Sequence, residues 1–340
     1  MTLKNNQIHL VSRPDGELDH SNFELVESAI PRPSEGQVLL KTLYLSLDPY
    51  MRSRMYDGKN YTAGTPLNAP MVGTSLSQVL TSRHPDYGEG DFVIANYGWQ
   101  EFSLSDGTGL VPVSADLEPK YLALSTLGLP GHTAYGALLR LGHMKPGETL
   151  LVSAASGAVG SVAVQIGKLK GLNVVGLAGG PEKCAYITSD LGADHAIDRR
   201  APDVLDQLKA TCADGIDIYF DNVSGPMAEG IIDLMADYGR YLVCGTIAIN
   251  RDVGFGPGTD NLQKVLATIL VKRLTIRGFI FGDFLDMADN FRTEMMGWIN
   301  AGDVKSRNDI IDGIENAPKA FLGLFSGQNF GKLLVRMGEG

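Results

Sequence analysis

The residues best suited to chemistry lie in one short turn. The apolar stretch TLLVSAA (149–155) runs into SGAVGS and then into VAVQIGKLKG, so Gly157 and Gly160 stand where a strand gives way to a helix. Glycines there let a backbone approach a pyrophosphate, and the helix N-terminus adds unpaired N–H groups and the positive end of its dipole. Ala154 takes the place of the usual first glycine, giving A-x-x-G-x-x-G. Two glycines alone also serve tight turns for steric reasons; the strand–turn–helix setting is what points to a dinucleotide. The next strand ends LAGG (177–180), without the acid that holds ribose hydroxyls in NAD-specific folds. Lys183 follows, and Arg199 with Arg200 comes after the third strand, where they could face the same pocket. This pattern favours NADP, while Glu182 keeps NAD open.

A turn of this kind needs a parallel sheet beneath it. From about residue 123, apolar strands alternate with amphipathic helices: TLLVSAA, NVVGLAG, ADHAID, GIDIYFDNV, RYLVCGT and LTIRGFI. Strands spaced by crossover helices imply a doubly wound α/β sheet of the Rossmann type. Before it, QVLLKTLYLSL, SLSQVL, DFVIANY and GLVPV, separated by Gly, Pro, Asp and Asn, predict a β-rich domain. The tail reads as a helix through IIDGIENAPKAFLGLF and a closing strand, GKLLVRM, that could return to the first domain. The expected division is 1–122, 123–304 and 305–340. A chain of 340 residues is long enough for two cores.

Composition narrows the partners. A net charge of -10 argues against a sequence-independent grip on nucleic acid or anionic membrane. No segment reaches the roughly 18 apolar residues of a membrane span. The three cysteines, Cys184, Cys212 and Cys244, are too few for a disulfide framework or a four-thiolate zinc site and suit a reducing cytoplasm.

The sequence resembles the zinc-independent double-bond reductases of the medium-chain dehydrogenase/reductase superfamily, which include prostaglandin reductases, plant alkenal reductases and bacterial curcumin reductases. The segments that carry the resemblance are LSLDPYMR (45–52), HPDYGEGD (84–91), GLPGHTAYGAL (128–138), SAASGAVGSVAVQIGKLKG (153–171), FDNVSG (220–225), VCGTIAINR (243–251) and NFGKLLVRM (329–337). They run in order along nearly the whole chain. The resemblance implies a GroES-like β domain built from both chain ends, a Rossmann domain between them, and a cleft holding the nicotinamide of NADPH. It places the pyrophosphate on Ala155, Ser156, Gly157 and Ala158, with Gly160 behind them, and the 2′-phosphate near Lys183. Further cofactor contacts fall on Asn222, on the loop Cys244, Gly245, Thr246, Ile247 and Asn250, on Phe279, Ile280 and Phe281, and on Asn329. Family members are commonly dimers, so a homodimer is expected.

Three departures from the family and its relatives matter. Where zinc alcohol dehydrogenases carry Gly-His-Glu, this chain reads MVGTSLSQV (71–79), which offers no metal ligand, so no metal requirement is expected. His132 in GHTAY is more plausibly hydrogen-bonded structure than a ligand. Related enzymes often have tyrosine where Arg199 stands, and arginine should hold a phosphate at least as well. Many members also carry a tyrosine before the asparagine of the loop after the fifth strand, but here Ile249 precedes Asn250. The resemblance then makes Tyr50 the candidate proton donor, with plain packing under the nicotinamide as the alternative. The expected reaction is NADPH-dependent reduction of the C=C bond of an enone or enal; quinone reduction and non-catalytic NADPH binding are the competitors.

Overall fold

The computed structural model describes residues 4–57, 63–248 and 261–338. The chain divides into two compact units, Met1–Leu124 with Asn308–Gly340, and Ser125–Arg307.

In the first unit a seven-stranded sheet is built around Val38–Ser46, which pairs with Ser75–Ser82, Phe102–Ser105 and the late strand Lys332–Arg336. Residues of Val38–Ser46 are buried on both faces rather than alternately, which explains the near-continuous apolar run VLLKTLYLS. Register shifts at Leu39/Leu40 and Thr42/Tyr44 bend it. A smaller sheet joins Phe23–Ala29, Lys4–Leu10 and Ala69–Pro70. Phe23 stacks on Trp99 at 5.6 Å, and Phe321 meets Trp99 edge-on at 5.5 Å, so a helix from the chain's last part, Ala317–Phe325, completes this core.

Three of these strands are not among the apolar runs read in the sequence: Lys4–Leu10 and Phe23–Ala29, which precede Gln37, and Phe102–Ser105, which lies between DFVIANY and GLVPV. One expectation needs correction. The segment 310–325 is not a single helix: Asn308–Asp312 is a strand parallel to Lys332–Arg336, and the helix starts only at Ala317. The β-branched pair Ile310–Ile311 has a sheet edge to join. Gly313, at φ 83°, turns the chain out of the strand, and the proline beside Ala317 suits a helix start.

The second unit holds six parallel strands, Thr149–Val152, Asn173–Ala178, His195–Asp198, Ile216–Asp221, Met235–Val243 and Thr275–Gly278. Counted along the unit, their order across the sheet is 3-2-1-4-5-6, the doubly wound Rossmann order. Thr149–Val152 is wholly buried. The helix Gly160–Leu169 lies so close to the sheet that a Cβ on Gly167 would come within 2.6 Å of Leu150 and 2.9 Å of Val174. Among the described residues no helix is long and apolar enough to cross a membrane.

Candidate active site

The turn after Thr149–Val152 is shaped by Ala154, whose φ of 47° lies in the left-handed region that favours glycine. That twist points the Ala154 carbonyl back into the turn, where Gly157 N–H donates to it at 2.8 Å. A Cβ on Gly160 would overlap the Ala154 carbonyl oxygen and lie 2.9 Å from both Ala154 C and Ala155 Cα, so only glycine fits. A Cβ on Gly157 would meet just one neighbour, Ala154 O at 3.1 Å. The protein's own packing thus demands glycine at 160 more than at 157, and the open side of Gly157 leaves room for something else. No side chain caps the helix Gly160–Leu169; Ser161 N–H and Ala163 N–H donate to Gly157 O at 2.9 Å and Val159 O at 3.0 Å, and the positive end of the helix dipole faces the turn, where an anion can meet it.

The sheet order reverses between Thr149–Val152 and Ile216–Asp221, where ligands bind beyond strand ends of such sheets. A buried network organises this point. Asp221, fully buried, accepts from Ser153 Oγ at 2.7 Å, Val223 N–H at 2.9 Å, Ser224 N–H at 3.0 Å and Tyr241 Oη at 2.6 Å. Burial first, then the Asp221 charge, push the Tyr241 phenol above its ordinary range, so it remains a donor. Asn222 Nδ2 donates to Ser153 O at 2.7 Å, and Asn222 N–H donates to Ser153 Oγ at 2.8 Å. The loop after the fifth strand is tied to the same place: Cys244 N–H donates to Asp221 O at 2.8 Å, and Ser224 Oγ to Gly245 O at 3.0 Å. A side chain on Gly245 would press within 2.7 Å of Asn222 O. Burial and Asp221 push the Cys244 thiol up to about 12, which keeps it from being a nucleophile at neutral pH.

The end of Asn173–Ala178 is acid-free in sequence but not in space. Asp198, from the neighbouring strand, accepts from Gly180 N–H and Arg200 N–H, both at 2.9 Å. The Gly180 bond, then that of Arg200, holds the Asp198 carboxyl below its usual range. The Arg200 guanidinium lies across the glycines, since a Cβ on Gly179 would sit 3.0 Å from Arg200 Nε. Arg199 is exposed, and its N–H donates to Ala178 O at 2.8 Å. Lys183 is half-buried in the first turn of Pro181–Ser189, a helix with Gly180 before it and no side-chain cap.

In the first unit, Tyr50 opens a four-residue helix, Tyr50–Ser53, and is half-buried. Ser53 Oγ donates to Tyr50 O at 2.8 Å. Asn329 is half-buried and turns its Nδ2 onto Gly331 O at 2.9 Å.

Two family models match the chain: one described as the N-terminal domain of oxidoreductase over residues 6–113, the other as zinc-binding dehydrogenase over residues 158–301. The chain is 44% identical over 335 residues to the NADPH-dependent curcumin reductase of Escherichia coli (strain K12), covering 98% of this chain and 97% of that one. It is 38% identical over 325 residues to prostaglandin reductase 1 of Rattus norvegicus, covering 93% and 94%. The crystal structure of CurA from Vibrio vulnificus in complex with NADPH superposes with a TM-score of 0.95 at 41% identity, covering 98% of this chain and 100% of that one. The chain belongs to the zinc-independent reductases of the medium-chain dehydrogenase/reductase superfamily.

Although one matching model of the superfamily is named for zinc, among the described residues no three His, Cys, Asp or Glu side chains cluster as metal ligands would. Within the second unit the structure gathers Ala155, Ser156, Gly157, Ala158, Gly160, Asn222, Cys244 and Gly245 around the switch point. Thr246 is exposed and Ile247 half-buried on the same loop, whereas Asn250, with Ile249, lies outside the described residues. The segment 279–281 is divided: Phe279 is buried against Phe220 and Phe284, Ile280 is exposed, and Phe281 meets His132 edge-on at 5.2 Å. His132 stacks on Phe291 at 4.7 Å, and burial lowers its pKa below the usual histidine range, so it packs as a neutral ring. Tyr50 and Asn329 belong to the first unit. Sequence reasoning missed Asp221, Ser153 and Asp198; an acid at the end of an apolar strand, as in IDIYFD, is the signal that could have raised the first.

Proposed function

We propose that this protein reduces the C=C bond of α,β-unsaturated aldehydes or ketones, with hydride delivered from NADPH to the β carbon. The observation that carries this reading is full-length similarity to an NADPH-dependent curcumin reductase, on a chain whose glycine turn ends in an uncapped helix at the switch point of a Rossmann sheet. When bound, the cofactor supplies the hydride. The protein's task is to bind, orient and polarise.

The turn Ala155 to Ala158 and the helix dipole serve the pyrophosphate: Ala155 N–H is held by Leu177 O and Gly157 N–H by Ala154 O, so Ser156 N–H and Ala158 N–H are the donors, and Gly157 leaves its face open for that approach. Lys183 and the guanidinium of Arg200, with Arg199 beside it, serve the 2′-phosphate; Asp198 is already engaged by two backbone N–H groups. Hydride addition at the β carbon moves charge onto the carbonyl oxygen, where a hydrogen-bond donor suffices to stabilise it. Tyr50 is the candidate donor, and a phenol stays protonated at neutral pH. Tyr50→Phe is expected to lower kcat for enones at least about tenfold with NADPH affinity unchanged.

The deciding experiment follows NADPH oxidation with an enone, with a quinone and with neither, and identifies the product by mass. Saturated ketone from the enone is expected. Turnover with the quinone alone would overturn the reading, and turnover with neither would leave a protein that binds NADPH without catalysis.

The homodimer expectation is supported by an apolar stripe on the helix Leu262–Lys272, where Leu262, Leu266 and Leu270 are 62%, 54% and 76% exposed at four-residue spacing. Beside it Thr275–Gly278 is the last strand of its sheet and exposed throughout. Monomers rarely leave such a stripe and an open edge together, and both can be covered by the same surface of a second copy. Light scattering should give a dimer, and Leu266→Glu with Leu270→Glu a monomer. The three free thiols, Cys184, Cys212 and Cys244, support placement in a reducing cytoplasm.

A further inference from the structure

The first unit buries a charge pair that the reaction as described does not use. Lys332 and Asp48 keep only 2% and 12% of their side-chain surfaces, and Lys332 Nζ lies 2.7 Å from Asp48 Oδ1. The ammonium also donates to Leu47 O at 2.8 Å, and Ser46 Oγ donates to the other carboxylate oxygen, Asp48 Oδ2. The surroundings are apolar: Leu45, Leu47, Met51, Leu333 and Val335 belong to one buried cluster. A buried ion pair gains little over well-packed apolar side chains of similar volume, because desolvation offsets the attraction, so stability alone does not account for it.

The two segments it joins are far apart in sequence, 284 residues, and each leads into a candidate site residue. On one side, Asp48 O accepts from Met51 N–H at 3.1 Å and so starts the turn that holds Tyr50. That helix has four residues and no side-chain cap at Pro49, too little to hold its own orientation. On the other side, Lys332 begins the closing strand three residues after Asn329, and Gly331 turns the chain between them at φ 87°. Leu47 N–H to Leu333 O, at 3.2 Å, is the neighbouring backbone tie.

We propose that the Asp48–Lys332 pair is a positioning device for the reaction: it holds in register the turn that presents Tyr50 and the loop that presents Asn329. This rests on the reading that Tyr50 serves the substrate oxygen and Asn329 meets the cofactor. Groups that polarise or orient reacting atoms lose effect when displaced by a fraction of an ångström, so the pair acts through geometry and not through contact with substrate.

The test separates folding from positioning. Lys332→Met, which strands a buried carboxylate, should lower Tm by about 10 °C. The double variant Asp48→Leu/Lys332→Met should recover Tm to within about 3 °C of wild type. It should nevertheless show at least about tenfold lower kcat for an enone and weaker NADPH binding by fluorescence titration. In that background the additional effect of Tyr50→Phe should shrink to less than about twofold, since a misplaced phenol has little left to lose. If the double variant does not fold, Ser46→Ala replaces it: about threefold lower kcat is expected at an assay temperature where the variant is still folded, its Tm lowered by about 5 °C through the lost bond to the buried carboxylate. A folded double variant, or Ser46→Ala in its place, with wild-type kcat and NADPH affinity would overturn the proposal. Silence of both Tyr50→Phe and Asn329→Ala in the otherwise wild-type chain would bring down the underlying reading and this proposal with it. Impaired single variants beside a normal double variant would bring down this proposal alone.

Discussion

Asp221 and Asp48 are both buried carboxylates near candidate site residues, and the two units neutralise them differently. Asp221 is held by a serine hydroxyl, a phenol and two backbone amides, all neutral and all drawn from residues 153–241 of the second unit. Asp48 takes a full cation, Lys332, from the far end of the chain. Sheet direction accounts for the difference. Parallel strands all end at the same edge, so their following turns bring amides and short polar side chains together there. In the antiparallel pairing of Leu334 with Ser46, neighbouring strands end at opposite edges, and a buried carboxylate has fewer dipoles to draw on. The parallel unit solvates its polar site from within; the antiparallel one imports a charge.

The largest expected effect tests whether dipoles really stand in for a cation. Asp221→Ala leaves Ser153 Oγ, Tyr241 Oη and two amides without their acceptor and should cost at least about 3 kcal/mol in urea unfolding. Asp221→Asn keeps one acceptor oxygen and should cost about half of that. A loss below about 1 kcal/mol for the alanine variant would mean that water or rearrangement replaces the carboxylate. Next come the glycines of the turn. Gly160→Ala must displace the Ala154 carbonyl and is expected to lower both Tm and NADPH affinity, whereas Gly157→Ala should leave Tm nearly unchanged and weaken NADPH alone. Equal effects on Tm would show that the turn is not packed as described. A smaller effect falls on the 2′-phosphate: Lys183→Ala and Arg200→Ala should each weaken NADPH by about one to two decades and NADH little. Equal loss for both cofactors would remove these residues from the phosphate site.

The smallest effect is a dependence on pH in the second unit. Burial depresses the His132 pKa below 6.5, so in the window just under that value the unfolded chain binds a proton that the folded chain does not. Stability therefore rises with pH there and is lost as pH falls from 6.5 towards the folded pKa, with a slope no steeper than about 1.4 kcal/mol per pH unit from this residue. His132→Phe should flatten that portion of the stability profile; an unchanged slope would assign it elsewhere.

The sequence made the second unit legible because its strands are continuous apolar runs and its turn residues carry steric signatures. All six strands from TLLVSAA to LTIRGFI stand where they were read, in the expected Rossmann sheet. The first unit was less legible. KNNQIHL and FELVESA mix polar and apolar residues because each meets the core on one face only, and Ile310–Ile311 beside a helix looked helical until a sheet edge gave them a partner. Site residues divided along the same line. Glycines at 157 and 160 declare themselves locally, but the approach of Asp198 to Gly180, and the choice of Arg200 over Gly179, depend on which strand lies next to which. Asp221 gives no local sign of its four donors, two of which arrive from Ser153 and Tyr241.

The closing strand Lys332–Arg336 also sets an order of events during synthesis. The unit Ser125–Arg307 is contiguous and can fold as soon as Arg307 has left the ribosome. The other unit cannot, because Val38–Ser46 waits for Leu334 to Arg336, and Phe321 must arrive before Trp99 and Phe23 are covered. Nearly 300 residues are translated in the interval. A nascent chain therefore carries an open apolar strand edge through most of its synthesis, and overproduction without chaperones should aggregate through the first unit rather than the second.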